Sequence, residues 1–343
     1  MSAGRAGAVF EENMRKGYPA MWKFVFMSLV AGMGAAALHA PARAQSFPAQ
    51  PIKIIVPFAP GGGVDIVGRT IAEQVTRQSG FAMVVENRTG AGGNVGSTSV
   101  AKASPDGYTL LMASNSTSYN NFLYSNMQYD AARDLQPVVQ IGRVPMVLLV
   151  SPSIPPRTVG EVVAFARAKP GALNVGSGGN GTSEHLVYEL FKRRTGIDAV
   201  HIPYRGGAQV YTDLIAGQVQ LMFSNQLGAT QFIRTGQLRA VGITGLKRSP
   251  QLPDVPTFEE QGIADFNASV WWGLVGPAGM PRPIVSLINQ MVNEAIAAAE
   301  VKGRLESLGA QPVGGSAEQF AAFFSSERAT WQGVIKEAGI RIE

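Results

Sequence analysis

The chain contains no cysteine. That absence excludes disulfides, a thiol nucleophile, thiolate-held metals and lipid attachment at a cysteine, and says nothing of the compartment. Histidine is almost as scarce, with only His39, His185 and His201. No HExxH pair, EF-hand loop or paired-histidine metal spacing occurs, and no G-x-S-x-G elbow. Without a nucleophile–base set, an enzyme is not expected, and neither a metal nor a cofactor is. Charge is also sparse, at 15% of residues, and no run of Lys or Arg suits a phosphate backbone. The formal net charge of +5 owes much to residues 1–44, which hold five Lys/Arg and two acids; removing them leaves 24 basic residues against 22 acidic, a net of +2. Nucleic-acid binding is therefore not expected.

Long apolar runs are missing too. The stretch 24–38 is shorter than the ~20 residues a membrane span needs, and Gly32 and Gly34 interrupt it. With Arg15, Lys16 and Lys23 before it and Ala42-Arg43-Ala44 after it, the segment reads as an export signal over 1–44, cleaved near Ala44. A membrane anchor is the competing reading. Residues 1–13 make the flank before the apolar stretch unusually long, which makes Met14 and Met21 candidate starts.

Glycine, in contrast, is abundant, with 40 residues, and two glycine-rich turns stand out. In the first, the apolar run 52–58 leads through Ala59 and Pro60 into Gly61, Gly62 and Gly63, with Asp65 opening a helical pattern. In the second, 173–176 leads through Ser177, Gly178, Gly179, Asn180 and Gly181 to Thr182, Ser183 and His185. Glycine lets the backbone approach a ligand closely, and the free N–H groups of a helix start attract anions. A dinucleotide fingerprint fails here, because the third glycine position is Ile66. The alternative at 90–96 has looser spacing, and no Gly-Lys-Ser/Thr makes a P-loop.

Apolar runs at 52–58, 82–86, 109–113, 138–141, 145–150, 173–176, 199–203, 219–223, 238–243 and 270–275 predict strands. Helical patterns at 65–78, 95–103, 158–168, 183–194, 207–216 and 226–235 lie between them, and Thr158-x-x-Glu161 and Thr257-x-x-Glu260 suggest capping boxes. The alternation argues for α/β with mixed, mainly parallel sheets and helices on both faces. After Pro283 the pattern is purely helical. If the chain enters a second lobe near 145 and returns near 270, lobe 1 comprises 45–145 and 270–343, and lobe 2 comprises 146–269. Two crossovers of that kind make a hinge.

Four glycine turns lie at the carboxyl ends of predicted strands, where open α/β sheets bind ligands. They are 61–65, 90–94 with Gly92 and Asn94, 177–183, and Gly206-Gly207 after Tyr204. Ser114, Ser116, Ser177, Thr182 and Ser183 can add hydroxyls, and Phe58 closes the first strand. His185 is as consistent with packing as with ligand contact.

The motifs Pro48-x-x-Pro51-Ile52-x-x-Ile55-Val56-Pro57-Phe58-x-Pro60-Gly61-Gly62, Val85-Glu86-Asn87-Arg88-x-Gly90-Ala91-Gly92-Gly93-Asn94 and Pro105-Asp106-Gly107-Tyr108 resemble the Bug-type (TctC-like) periplasmic receptors of tripartite tricarboxylate transporters. Gly178-x-Asn180-Gly181-x-Ser183-x-His185, Pro203-Tyr204-Arg205-Gly206-Gly207 and Ser249-Pro250-x-Leu252-Pro253-Asp254 extend the resemblance over essentially all of 46–343. It implies a two-lobe, type II Venus-flytrap fold that closes on a small carboxylate, held by the loop 58–65 and the helix start 180–183. It also implies a monomeric periplasmic protein that serves a large and a small membrane subunit. A sensor of the same fold is the alternative. Ser224 stands where relatives often carry aspartate, which points away from ligands with an ammonium group.

Overall fold

The computed structural model describes residues 47–342, apart from Arg205, Gly206 and Asp265. The expected signal segment and its cleavage site lie outside the described residues. Ten strands are described: β1 (Ile52–Val56), β2 (Met83–Asn87), β3 (Thr109–Ser114), β4 (Leu135–Val150), β5 (Asn174–Ser177), β6 (Val200–Pro203), β7 (Leu221–Asn225), β8 (Arg239–Ile243), β9 (Ser269–Pro277) and β10 (Gln311–Pro312). The helices are α1 (Gly63–Ser79), α2 (Asn94–Ala101), α3 (Asn115–Leu123), α4 (Ala131–Asp134), α5 (Val159–Ala168), α6 (Ser183–Thr195), α7 (Gly207–Ile215), α8 (Gln226–Arg234), α9 (Arg282–Ala297), α10 (Ala299–Ser307) and α11 (Ala317–Ala338).

The strands run β2-β1-β3-β9-β4-β7-β5-β6, with β8 and β10 also pairing β4. Pairing at both flanks is parallel: β1 with β2 and β3, and β5 with β6 and β7. The centre is antiparallel, because β4 and β9 are not linked to their neighbours by strand–helix–strand units. The expectation of mainly parallel sheets therefore holds at the flanks and is corrected in the middle.

The predicted strands 138–141 and 145–150 are one element, β4. It pairs β9 as far as Pro145, opposite Ser269, and from Met146 it pairs β7 and β8 instead. Proline has no N–H to give to a ladder, so the change of partner falls where the ladder is weakest. Side chains alternate across a strand. Val147 and Leu149 join one apolar cluster with Val210, Leu214 and Met222, whereas Met146, Leu148 and Val150 join another with Phe191, Phe223 and Phe258. Both faces of this half are thus covered, which is why its strands read as continuous apolar runs. A third cluster, around Ile55, Leu111, Trp271, Val275, Phe320 and Phe324, holds the β1–β3–β9 half.

The Thr257/Glu260 capping box is complete, with Glu260 N–H donating to Thr257 (3.0 Å) and Thr257 N–H donating to Glu260 (2.7 Å), but it starts a single 3₁₀ turn. Thr158 caps α5 by accepting from Glu161 N–H (3.1 Å), while the Glu161 carboxylate accepts from Arg157 N–H. The region after Pro283 is not purely helical, since β10 pairs the edge of β4 at Gly142 and Arg143.

Candidate functional site

Three helices begin at one cavity. The first turn follows β1 and opens α1 at Gly63, with Gly62 as an extended N-cap (φ −76°). Its shape is fixed from behind by Asp65, only 3% exposed. The Asp65 carboxylate accepts from Gly61 N–H (2.9 Å), Asn87 Nδ2 (2.8 Å) and Arg69 Nε (3.1 Å). Burial alone raises this carboxyl, but the bonds from Arg69, Gly61 and Asn87 outweigh it and hold it below the usual carboxylate range. Asp65 is a scaffold residue, and Gly61 N–H is already spent on it.

The second helix, α3, begins after β3. Ser114 is its N-cap, and Ser114 N–H donates to Thr117 Oγ1 (3.3 Å). Asn115 ties the helix to β9 by donating to Ser269 O (2.8 Å) and accepting from Trp271 N–H (3.0 Å). Asn120 donates to Gly92 O (3.0 Å) and Asn94 Oδ1 (2.8 Å), holding the glycine loop against the helix. Gly92 has φ +62°, a conformation that favours glycine, and a Cβ there would meet Tyr124 Oη at 2.5 Å, so the tyrosine would have to shift.

The third helix, α6, begins after β5. Thr182 caps it, accepting from His185 N–H (3.4 Å) and donating to Gly179 O (2.8 Å). Gly178 N–H donates to Glu184 Oε2 (2.8 Å); burial pushes the Glu184 carboxyl up, against the pull of that bond. Ser183 Oγ lies 3.5 Å from Tyr119 Oη, and burial pushes the Tyr119 phenol up to about 12.

Between these helix starts lies a cavity of about 470 Å³. Nine predicted residues line it: Phe58, Gly62, Gly63, Gly92, Ser114, Ser116, Asn180, Thr182 and Ser183. The others do not. Ala59, Pro60 and Gly61 belong to the same loop without lining the cavity, and Asp65 and Asn94 hold the walls from outside. Ser177 and His185 sit behind the second turn, where Ser177 Oγ meets His201 Nε2 (2.6 Å) and His185 Nδ1 accepts from Gly181 N–H (3.1 Å). Tyr204 is engaged with Asp213 (2.7 Å), and Gly207 opens α7. Ser224 is 1% exposed and hydrogen-bonded to the Tyr211 hydroxyl, so the ligand inference drawn from it loses its geometric basis. Gly206 lies outside the described residues.

Val64 and Gly181, inside the two predicted segments, also line the cavity, and it has further walls that the sequence reading missed: Asn115, Tyr119, Asn120, Leu123, Tyr124, Val270 and Ile342. Asn115, Tyr119, Asn120 and Leu123 belong to α3, whose sequence NSTSYNNFL is poor in helix formers. The available signal was Ser114-x-x-Thr117 directly after a buried strand, a helix start at the end of the sheet where ligands bind. Among the described residues that line the cavity, none is charged. No group of acidic or histidine side chains among the described residues could hold a metal ion.

Comparison with known proteins agrees with this geometry. Residues 67–340 match the tripartite tricarboxylate transporter family receptor. Protein BugT of Bordetella pertussis is 36% identical over 310 residues, spanning 90% of this chain and 95% of BugT. An R. palustris protein solved with adipate superposes with a TM-score of 0.73 at 34% identity, covering 86% of this chain and all of that one. MatC from Rhodopseudomonas palustris, solved with bound malate, gives 0.69 at 32% identity, with 84% of this chain and all of MatC covered. The fold is that of the two-lobe periplasmic binding proteins. On the strength of the profile match and of these relatives, the chain belongs to the tripartite tricarboxylate transporter receptor family, the TctC or Bug group, and is a receptor rather than an enzyme.

Proposed function

We propose that the protein is a periplasmic receptor that captures a small carboxylate and hands it to the large and small membrane subunits of a tripartite tricarboxylate-type transporter. The observation that carries this reading is the convergence of the starts of α1, α3 and α6 on one cavity, with no charged side chain among the described residues that line it. The first N–H groups of a helix lack intrahelical acceptors, and its dipole places partial positive charge there. Three such ends favour an anion. The adipate and malate bound by the two R. palustris neighbours support a carboxylate.

Residues 45–145 and 270–343 form lobe 1 in this reading, and 146–269 form lobe 2. The change of strand partners at Pro145 and Ser269 supports that division. The lining then comes from both lobes: Gly62, Gly63, Ser114 and Ser116 from lobe 1, and Asn180, Thr182 and Ser183 from lobe 2. No helix among the described residues is long and apolar enough to cross a membrane. The receptor acts as an exported monomer.

A thermal-shift screen of the purified protein against mono-, di- and tricarboxylates tests the reading. A ligand that binds only the folded state adds about 2.7 kcal/mol at a hundredfold excess over its Kd. No shift with any carboxylate overturns it. Deleting the genes of the two proposed membrane subunits separates delivery from sensing: solute uptake is lost if the receptor serves them.

A further inference from the structure

Ile342, in the segment after α11, touches both proposed lobes. Its backbone is held by the end of α3 in lobe 1. The Ile342 N–H donates to Leu123 O (2.8 Å), and the residue forms a parallel β-bridge with Tyr124. Its side chain reaches the second glycine turn, in lobe 2. A Cβ built on Gly181 would fall 2.7 Å from Ile342 Cδ1 and 3.1 Å from Leu123 Cδ1. The missing side chain of Gly181 leaves room for these two methyl groups, and its φ of +72° lies in the region that glycine favours.

The bonds of α11 decide which of these contacts parts when the lobes separate. Two charged side chains in its middle fix it to lobe 1. The Glu327 carboxylate accepts from Trp271 Nε1 on β9 and from Trp331 Nε1 on its own helix (both 3.0 Å). Arg328 donates to Ser118 O and Asn121 Oδ1 of α3 (both 3.2 Å). Phe320 and Phe324 also pack edge-on against Trp271. The contacts of α11 with lobe 2 are of another kind. Trp331 and Val334 join the apolar cluster of Leu186 and Phe191, and Glu337 pairs with Arg193 (2.8 Å) where both side chains are half exposed. Apolar contact has no fixed direction, and an exposed ion pair is weak, so these contacts can slide while the directed bonds to β9 and α3 hold. On opening, α11 and Ile342 stay with lobe 1, and the contact of Ile342 with Gly181 parts.

That contact adjoins the groups a solute would meet. Asn180, Thr182 and Ser183 flank Gly181 on the cavity wall, and the Ser183 hydroxyl stands 3.5 Å from that of Tyr119. Holding Gly181 against Ile342 holds this wall near α3. We propose that Ile342 is a positioning residue for solute capture: fixed to lobe 1 by its backbone, it clasps Gly181 of lobe 2 with its side chain and raises the closed population of the empty receptor. A solute that binds only the closed state loses apparent affinity in proportion to the closed fraction, so the clasp acts on every solute of the site alike. The proposal rests on the receptor reading above and its two lobes, and goes beyond it by naming a residue that sets their equilibrium.

Spin labels at Lys102→Cys and Lys169→Cys, one exposed position on each proposed lobe, read the separation of the lobes in the purified protein without solute. Ile342→Ser removes the apolar contact with Gly181 and keeps the backbone bond to Leu123. It should lower the short-distance population at least ~3-fold, and the apparent affinity of any solute by the same factor. Ile342→Leu, which keeps an apolar side chain of equal size, should retain the wild-type distribution. If the melting curve of Ile342→Ser shows that it does not fold, Ile342→Ala with the same readout replaces it. Equal distance distributions for the wild type and the folded variant overturn the proposal. A shift of the same size in Ile342→Leu overturns it too, since the position would then be a packing site of fixed shape and not a clasp. No solute enters the label measurement, so its failure is separate from failure of the carboxylate screen, which bears on the receptor reading.

Discussion

His185 and His201 stack face to face behind the second glycine turn, their ring centroids 3.7 Å apart and their planes 5° from parallel. His185 accepts the Gly181 N–H on Nδ1, so it must be unprotonated there to hold the turn. Burial pushes both rings down to about 4, and the neighbouring His201 adds to the effect at His185. The unfolded chain takes up these protons as pH falls through about 6.5, whereas the folded protein resists until about 4. Stability from the pair is therefore full above the unfolded value and is lost as pH falls through the folded one, with a limiting slope of about 1.4 kcal/mol per pH unit for each ring. Urea midpoints should fall between pH 7 and pH 5, and His201→Phe should flatten that fall. Equal midpoints for the wild type at both pH values would remove the pair from the acid response.

Asp65 should behave as a scaffold residue. Asp65→Ala takes the charged acceptor away from Gly61 N–H, Arg69 and the Asn87 amide, which keeps Phe58 O. A hydrogen bond to a charged group contributes about 1.5–3 kcal/mol, less where water can replace it, so the midpoint of denaturant unfolding should drop. Asp65→Asn, which keeps an acceptor oxygen, should recover part of the loss. A neutral Asp65→Ala would mean that the loop holds its shape by backbone geometry alone.

The contrast between Asp65 and Tyr119 shows what the sequence made legible. The strand–glycine–helix pattern at 52–65 has strong local signals, an apolar run and three glycines, so both the turn and its place at the sheet end could be read. What the Asp65 side chain does there is set by Arg69 and Asn87, and Asn87 comes from another strand. Tyr119 sits in a helix built mostly of Asn, Ser and Thr, whose formation depends on tertiary bonds such as Asn115 to Ser269 and Trp271. Ile342 reaches the cavity only because its segment pairs with Tyr124, more than two hundred residues away in the chain. Ser224 shows the opposite failure, since its place at a strand end was legible but its capture by Tyr211 was not.

Gly62 offers a clean steric test of the cavity. Its φ of −76° suits any residue, and a Cβ there meets only Ala59 O at an ordinary 3.7 Å. Gly62→Val should therefore fold, while its side chain occupies space at the cavity wall. Affinity for a confirmed carboxylate should fall at least ~10-fold, about 1.4 kcal/mol. Calorimetry with an unchanged Kd and an unchanged melting midpoint would take this loop out of the binding site.

Closure is the last expectation, and it follows from where the donors sit. Ser183 and Tyr119 belong to different proposed lobes, yet their hydroxyls stand 3.5 Å apart. One small solute can touch both walls only when they are this near, whereas a solute can enter only when they part. Between the lobes run β4 and β9, whose pairing ends at Pro145 and Ser269, so the opening motion should bend the chain there. Binding shifts such an equilibrium by its differential affinity for the closed state, and the excluded water strengthens each N–H contact to the carboxylate. The absence of cysteine makes the test direct. Lys102→Cys and Lys169→Cys, both at exposed positions, place a pair of labels on the two proposed lobes and nowhere else. A saturating carboxylate should change the label distance and reduce the radius of gyration measured by small-angle scattering. If both stay constant while calorimetry shows binding, the cleft does not close on its solute, and the membrane partner must recognise the loaded receptor by something other than its shape.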